Sequence, residues 1–227
     1  MTILLAIILT WTAIELIRYI CSLISWGRET LPPPNINDIL QTHYKPEHCD
    51  AKIREDCEKM LQQYFKEPAN LPLYQRIDEK MKTMNVEQRK EMLRELTTKI
   101  ADIMQIKLDG IIFDDNQCMG YYDPQKNCIM ISVPYIQQDE CNVEVVKTIF
   151  HELKHAIQFK AISQGGNIWG YSDATLIAWA NNWQEYIRPE LDPESYMTQP
   201  LEVDAFGFEC SVIPQPGMGI TSKRFFV

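Results

Sequence analysis

Basic charge is scarce in this chain. Its 22 Lys and Arg stand against 31 Asp and Glu, a formal net charge of −9, and no Lys/Arg-dense stripe interrupts the acidic background. Phosphate binding needs a basic surface, so a general affinity for nucleic acid drops out of the expected functions. No CxxC pair occurs among the seven cysteines, Cys21, Cys49, Cys57, Cys118, Cys128, Cys141 and Cys210, and their number is odd. That usage suggests neither a disulfide framework nor a zinc ribbon, and reduced thiols in a cytoplasmic domain are the expectation. Cys118 and Cys128 flank an expected hairpin and could pair in an oxidising compartment. Internal repeats and low-complexity tracts are missing as well. What remains, 227 residues of which 45% are hydrophobic and 23% charged, is ordinary for one globular domain with a possible appendage.

Long apolar runs are confined to the start. Met1 to Trp26 is the most hydrophobic part of the chain and long enough to cross a bilayer, which takes about 20 residues. Glu15 and Arg18 interrupt it, three apart on one helical face, where they can pair. A membrane anchor is the favoured reading, because the segment is apolar on all faces. A secretory signal peptide lacks its basic n-region and small-residue cleavage site; a buried or partner-binding helix is the third reading. Basic residues such as Arg28 follow the segment and none precedes it, so a spanning helix would leave the bulk of the protein cytoplasmic.

Leu31-Pro32-Pro33-Pro34 cannot continue a helix and reads as a stiff linker. From Asn35 to Ile106 the pattern is helical: Ile53, Cys57, Met60, Leu61 and Tyr64 keep helix spacing, as do Met92, Leu93, Leu96, Ile100, Ile103 and Met104, with Asn85 placed as a cap. Asp109-Gly110 signals a turn. Ile111–Phe113 and Cys128–Val133 read as strands, and the turn-rich stretch between them is consistent with a small antiparallel sheet. Helices are expected over Val143–Ala161 and Asp173–Ile187, and another from Pro200 to before Pro214. The plan is α+β. It comprises a hydrophobic N-terminal helix (1–26), a linker and helical region (27–109), a chemistry-bearing domain (110–212) and a tail (213–227).

The chain has four histidines, and two of them fall in His151-Glu152-Leu153-Lys154-His155. Histidines four apart project from one side of a helix and can reach a single metal ion. Glu152 beside them can take a proton from metal-bound water. Val146, Ile149, Phe150, Leu153 and Ile157 form an apolar stripe nearly opposite the histidines. The helix is therefore expected to bury one face and turn its ligands toward a cleft. The bland alternative is a solvated face that happens to hold two histidines.

Catalytic zinc usually has three protein ligands and one open position. No histidine follows His155, while His43 and His48 lie far upstream, so the third ligand is expected to be a downstream carboxylate. Asp173, Glu185, Glu190, Asp192, Glu194, Glu202, Asp204 and Glu209 are the candidates. Glu202 is the choice, at the edge of a stripe made by Leu201, Ala205 and Phe208. It stands about 200° from Asp204 on a helix, so only one of the two can face the metal. Asp204 is the next candidate, as ligand or as partner to a histidine, and a solvated Glu202 is the bland reading.

Over Gly110 to about Cys210 the sequence resembles the zincin metallopeptidases, and within them the glutamate-ligand gluzincins. The resemblance rests on His151-Glu152-Leu153-Lys154-His155, the preceding Met119-Gly120-Tyr121 and Ile129-Met130-Ile131 hairpin, and Glu202-Val203-Asp204-Ala205. The spacing of Glu202, Ala205 and Phe208 is similar to that of small bacterial and phage peptidases related to the repressor-cleaving ImmA/IrrE group. The resemblance implies a zinc-bound water attacking a peptide carbonyl, with His151, His155 and Glu202 as ligands and Glu152 as base. Phe206 departs from the pattern: that group usually has asparagine there, and thermolysin-like enzymes an aspartate. The third-histidine extension of metzincins is absent, and Gly217-Met218-Gly219 is not their Met-turn.

Tyr171, Tyr186 and Tyr196 are candidates to stabilise an oxyanion, with packing as the default role of each. His43, His48, Cys49 and Cys57 match no standard metal pattern and read as solvated helix residues. Trp169, Trp179 and Trp183 either line a cleft or pack the C-terminal helices. The expected function is zinc-dependent peptide hydrolysis, with a peptide or protein as partner. Two rivals stay open: a non-catalytic metal-binding regulatory domain, and a membrane-tethered interaction protein using the helices between Asn35 and Ile106. Those helices could equally be a lid over the cleft.

Overall fold

Among the described residues four helices lead into the small sheet: α1 (Ile36–His43), α2 (His48–Tyr64), α3 (Leu73–Lys82) and α4 (Val86–Ile103). The computed structural model describes residues 36–116, 118–163 and 167–214. The hydrophobic segment 1–26, the proline linker and the chain after residue 214 lie outside the described residues. Among those described, no helix is long and apolar enough to cross a membrane.

Helix α4 starts where the sequence marks it. The Asn85 side chain accepts from the Gln88 backbone N–H at 3.0 Å, and the Gln88 side chain accepts from the Asn85 N–H at 2.9 Å, a reciprocal cap. Two buried arginines satisfy carbonyls that helix ends leave free. Arg76 donates to Phe65 O at the end of α2, and Arg89 to Met81 O at the end of α3.

The sheet has three strands, β1 (Gly110–Asp114), β2 (Gly120–Asp123) and β3 (Cys128–Ser132), in the order β1-β3-β2. The β2–β3 hairpin is antiparallel, as expected, but β1 pairs parallel to β3, from Gly110 opposite Cys128 to Asp114 opposite Ser132. The sheet is mixed, which corrects the expectation of an antiparallel one. The cause is chain length: residues 115–127, with β2 inside them, carry the chain back to the starting end, so β3 can lie along β1 in the same direction. All five residues of β3 are buried, as befits a central strand. The hairpin loop is fixed by Asp123, whose Oδ1 accepts from the N–H groups of Gln125 and Lys126, and by Asn127 in the left-handed region at φ 46°.

After β3 come α5 (Val133–Ile136), a 3₁₀ turn (Asp139–Cys141), α6 (Asn142–Ser163), α7 (Asp173–Gln184), α8 (Pro193–Thr198) and α9 (Pro200–Val212). Helix α6 runs through the middle of the core. Val145, Val146, Ile149, Phe150, Leu153, Ala156 and Ile157 are fully buried in one cluster that also holds Leu61, Ile77, Leu93 and Ile129 from α2, α3, α4 and β3. Each buried Val, Leu, Ile or Phe among them contributes about 1.5–3 kcal/mol. The solvated face of the bland alternative is not there: Lys147, Thr148, His151, Glu152, Lys154 and Gln158 are buried too. Helix α9 covers that side, itself buried at every position from Leu201 to Glu209.

Gly120 sets the hairpin against α6. A Cβ there would come within 2.8 Å of both Met130 O and Thr148 Cγ2. Only a glycine lets the edge strand pass this close to the turn preceding Glu152. A smaller cluster of Ile39, Tyr196, Met197, Val203 and Phe206 ties α1 to α8 and α9.

Candidate metal centre and cleft

Helical spacing brings His151 and His155 together on α6, with their Nε2 atoms 3.1 Å apart. Helix α9 crosses them and presents the fully buried Glu202. Its Oε2 lies 3.2 Å from His151 Nε2 and its Oε1 3.3 Å from His155 Nε2. Tetrahedral zinc with bonds of about 2.0–2.1 Å holds its ligand atoms roughly 3.3 Å apart. The three side chains thus fit that ion in donor type and in spacing. They are the one group of three or more His, Cys, Asp or Glu able to hold a metal among the described residues. The remaining carboxylate candidates separate by role. Asp173, Glu185 and Glu194 are exposed, Asp192 caps α8 through the Ser195 N–H, and Glu190 stands at the cleft wall.

Asp204 and Glu209 take supporting positions. The Gln158 Oε1 meets His155 Nδ1 at 2.7 Å, and its Nε2 donates to Asp204 Oδ2 at 2.7 Å and to Leu201 O at 3.0 Å. Asp204 therefore reaches a histidine through Gln158, while Glu202 faces the metal position. His151 Nδ1 lies 3.3 Å from Glu209 Oε2, close enough for an ion pair though off the line of a well-formed hydrogen bond. Phe206 packs its ring on His151 at 4.5 Å between centroids. Both imidazoles are thus held from behind, which fixes their orientation.

Lys154, between the two histidines in sequence, is fully buried and points away from the triad. It donates to Asp50 Oδ1 and Oδ2 at 2.7 and 2.8 Å and to the Tyr171 hydroxyl at 2.9 Å, and lies 3.3 Å from Asp204 Oδ2. The rings of Tyr171, Trp179 and Phe208 surround its ammonium group at 4.7, 5.6 and 5.3 Å. A charge buried this deeply is stable only because it is paired and hydrogen-bonded.

The charges at the centre lean on one another. Burial raises Glu202, but His155 and His151 outweigh it and hold its carboxyl well below the usual range. Burial pulls His151 toward its neutral form, yet the hydrogen bond to Glu202 and the Glu209 carboxylate at ion-pair distance push it up to about 10. Glu152 is raised, because burial outweighs the pull of His151, His155 and the Tyr122 backbone N–H. The carboxylates around the site thus favour protonated histidines, and an entering cation would have to displace such protons.

A cleft of about 720 Å³ opens over His151 and Glu152, lined also by Asn116, Met119, Arg188 and Glu190. A second pocket of about 370 Å³ adjoins it on the His155 side, between β2 and Trp183. None of the lining residues of either comes from α1 to α4, so among the described residues those helices do not cover the cleft. Tyr186 and Tyr196 line both parts, and the Tyr186 hydroxyl donates to Glu202 Oε1 at 2.6 Å. Tyr171 lines neither. The tryptophans split: Trp179 is buried against Tyr171, Trp169 donates to Met104 O, and Trp183 walls the second pocket. His43 and His48 are exposed, whereas Cys57 is a core residue rather than a solvated one. Cys118 and Cys128 do not pair: both are free thiols, Cys118 exposed and Cys128 buried.

Comparison with models of known protein families, with curated proteins and with solved structures returned no match. The reading therefore rests on geometry. It predicts that Glu209→Gln, which keeps the shape but removes the charge behind His151, weakens zinc binding about 10–100-fold. Competition against a fluorescent chelator measures this, and unchanged affinity would make Glu209 a packing residue only.

Gln158 and Glu209 escaped the sequence reading as supports, although each carried a faint signal. Gln158 lies one turn after His155, and Glu209 two turns after Glu202 on the same helix face. Asp50 carried none, being 104 residues from Lys154.

Proposed function

We propose that the chain is a zinc-dependent metallopeptidase of zincin type, with His151, His155 and Glu202 as ligands and Glu152 as general base. One observation carries the reading: two imidazoles that line an open cleft and its adjoining pocket converge at zinc spacing with a buried carboxylate, and a further carboxylate lies beside them. Among the described residues the cluster has three members. A purely structural zinc site would be closed by a fourth protein ligand, and would have no use for Glu152.

Zinc in this position would supply Lewis acidity toward water and a peptide carbonyl. Glu152 accepts the proton of the attacking water and returns it to the leaving amine. The Tyr122 N–H and burial orient its carboxylate. Tyr186 and Tyr196 place hydroxyl groups on the wall above, where Tyr186 either steadies Glu202 or turns to donate to the developing oxyanion. Strand β2 is the sheet edge beside the cleft, with Gly120 and Tyr121 in its lining. An extended peptide laid along it would gain backbone hydrogen bonds and present its carbonyls to the triad.

The test is hydrolysis of an unstructured peptide mixture by zinc-loaded protein. Cleavage should cease with a zinc chelator and return when zinc is restored. Chelator-insensitive cleavage, or none by protein with its site filled, would reject the reading.

A further inference from the structure

The pocket on the His155 side is built differently from the rest of the cleft. Tyr122, Pro124, Trp183, Tyr186 and Tyr196 supply its walls. Glu152 is the one carboxylate in its lining, and neither Lys nor Arg contributes. Its aromatic wall is braced from behind: Trp183 packs on Phe159 at 5.2 Å between centroids, and Phe159 on Tyr122 at 6.2 Å. That stack joins α7, α6 and β2, so the pocket is formed before anything enters it. At about 370 Å³ it has room for one large side chain.

Its position decides what such a side chain would be. Glu152 and His155 form part of the lining, so a carbonyl held at the triad puts the neighbouring residue of the same peptide at the pocket mouth. An aromatic or large aliphatic group there gains apolar burial and ring contacts. An acidic group would lose its hydration beside Glu152 with no Lys or Arg in the lining to pair with it. We propose that this pocket selects a large apolar residue, aromatic above all, immediately flanking the bond to be cleaved. Trp183 is the main determinant. The proposal rests on the peptidase reading for the cleaved bond, while the binding preference stands apart from it.

The experiment uses the full zinc-loaded chain and a set of peptides differing at one position, Phe, Leu, Ala, Asp or Lys, next to a single cleavable bond. kcat/KM for Phe should exceed that for Ala by about tenfold or more, with Asp lowest. Trp183→Ala should collapse the Phe-to-Ala ratio. Ile177→Ala, exposed on the same helix and outside the cleft lining, should keep it. Pro124→Glu, as a second variant at the pocket wall, should shift preference from Phe toward Lys. Binding of the same peptides to Glu152→Gln protein, followed by tryptophan fluorescence, separates the two layers. Tighter binding of Phe than of Ala, dependent on Trp183, supports the pocket even where no peptide is cut. Cleavage without a Phe preference, or a preference that survives both Trp183→Ala and Pro124→Glu, overturns it. So does the lack of both cleavage and Trp183-dependent binding.

Discussion

Glu152→Gln is expected to keep its zinc and lose about 10²- to 10⁴-fold in the rate of peptide hydrolysis. The amide has the size of the carboxylate and can occupy the same place against the Tyr122 N–H, so packing should survive. What it cannot do is accept a proton. Glu152 is not in the ligand cluster, and metal content should therefore match wild type. Its raised pKa, caused by burial against the pull of two histidines, also means that folding gains little from its charge. A neutral isostere should leave the melting temperature unchanged or slightly higher. kcat measured beside zinc stoichiometry separates this from a structural role, in which stability would fall and the rate per zinc would hold.

Lys154→Ala carries the largest stability cost. Lys154 has no exposed surface, and its loss leaves the largely buried carboxylates of Asp50 and Asp204 without their shared cation. Breaking a buried pair by deleting one partner typically costs about 3–5 kcal/mol, because the other charge remains unpaired. The damage should also spread to the centre: Asp204 holds Gln158, which holds His155. Weakened zinc binding should accompany the lower midpoint in urea. Combining Lys154→Met with Asp50→Asn should recover part of the loss, since the cation and one anion leave together. A Lys154→Ala protein with wild-type stability would mean that Asp50 and Asp204 find water instead.

These two residues stand side by side with different legibility. Glu152 could be read from a five-residue pattern, because helix geometry alone puts it beside two histidines. The role of Lys154 depends on Asp50, which the chain brings from another helix, and no local periodicity encodes that meeting. The same division runs through the fold. Asn85, Pro200 and the hairpin around Gly120 announced their elements through local rules. The parallel pairing of β1 with β3 did not, since alternation within a strand says nothing of its neighbour's direction. The burial of α6 on all sides was hidden as well. Its polar residues resemble a solvated face until α9 is known to cover them with Glu202, Asp204 and Glu209. Glu202 was reachable by eliminating histidines and reading one helix stripe, and the geometry places it where a third ligand would stand.

Elemental analysis of purified protein, wild type beside His155→Ala and Glu202→Ala, tests the metal centre most directly. The account predicts about one zinc per chain in the wild type and little or none in either variant. No zinc in the wild type, even after reconstitution, would contradict it.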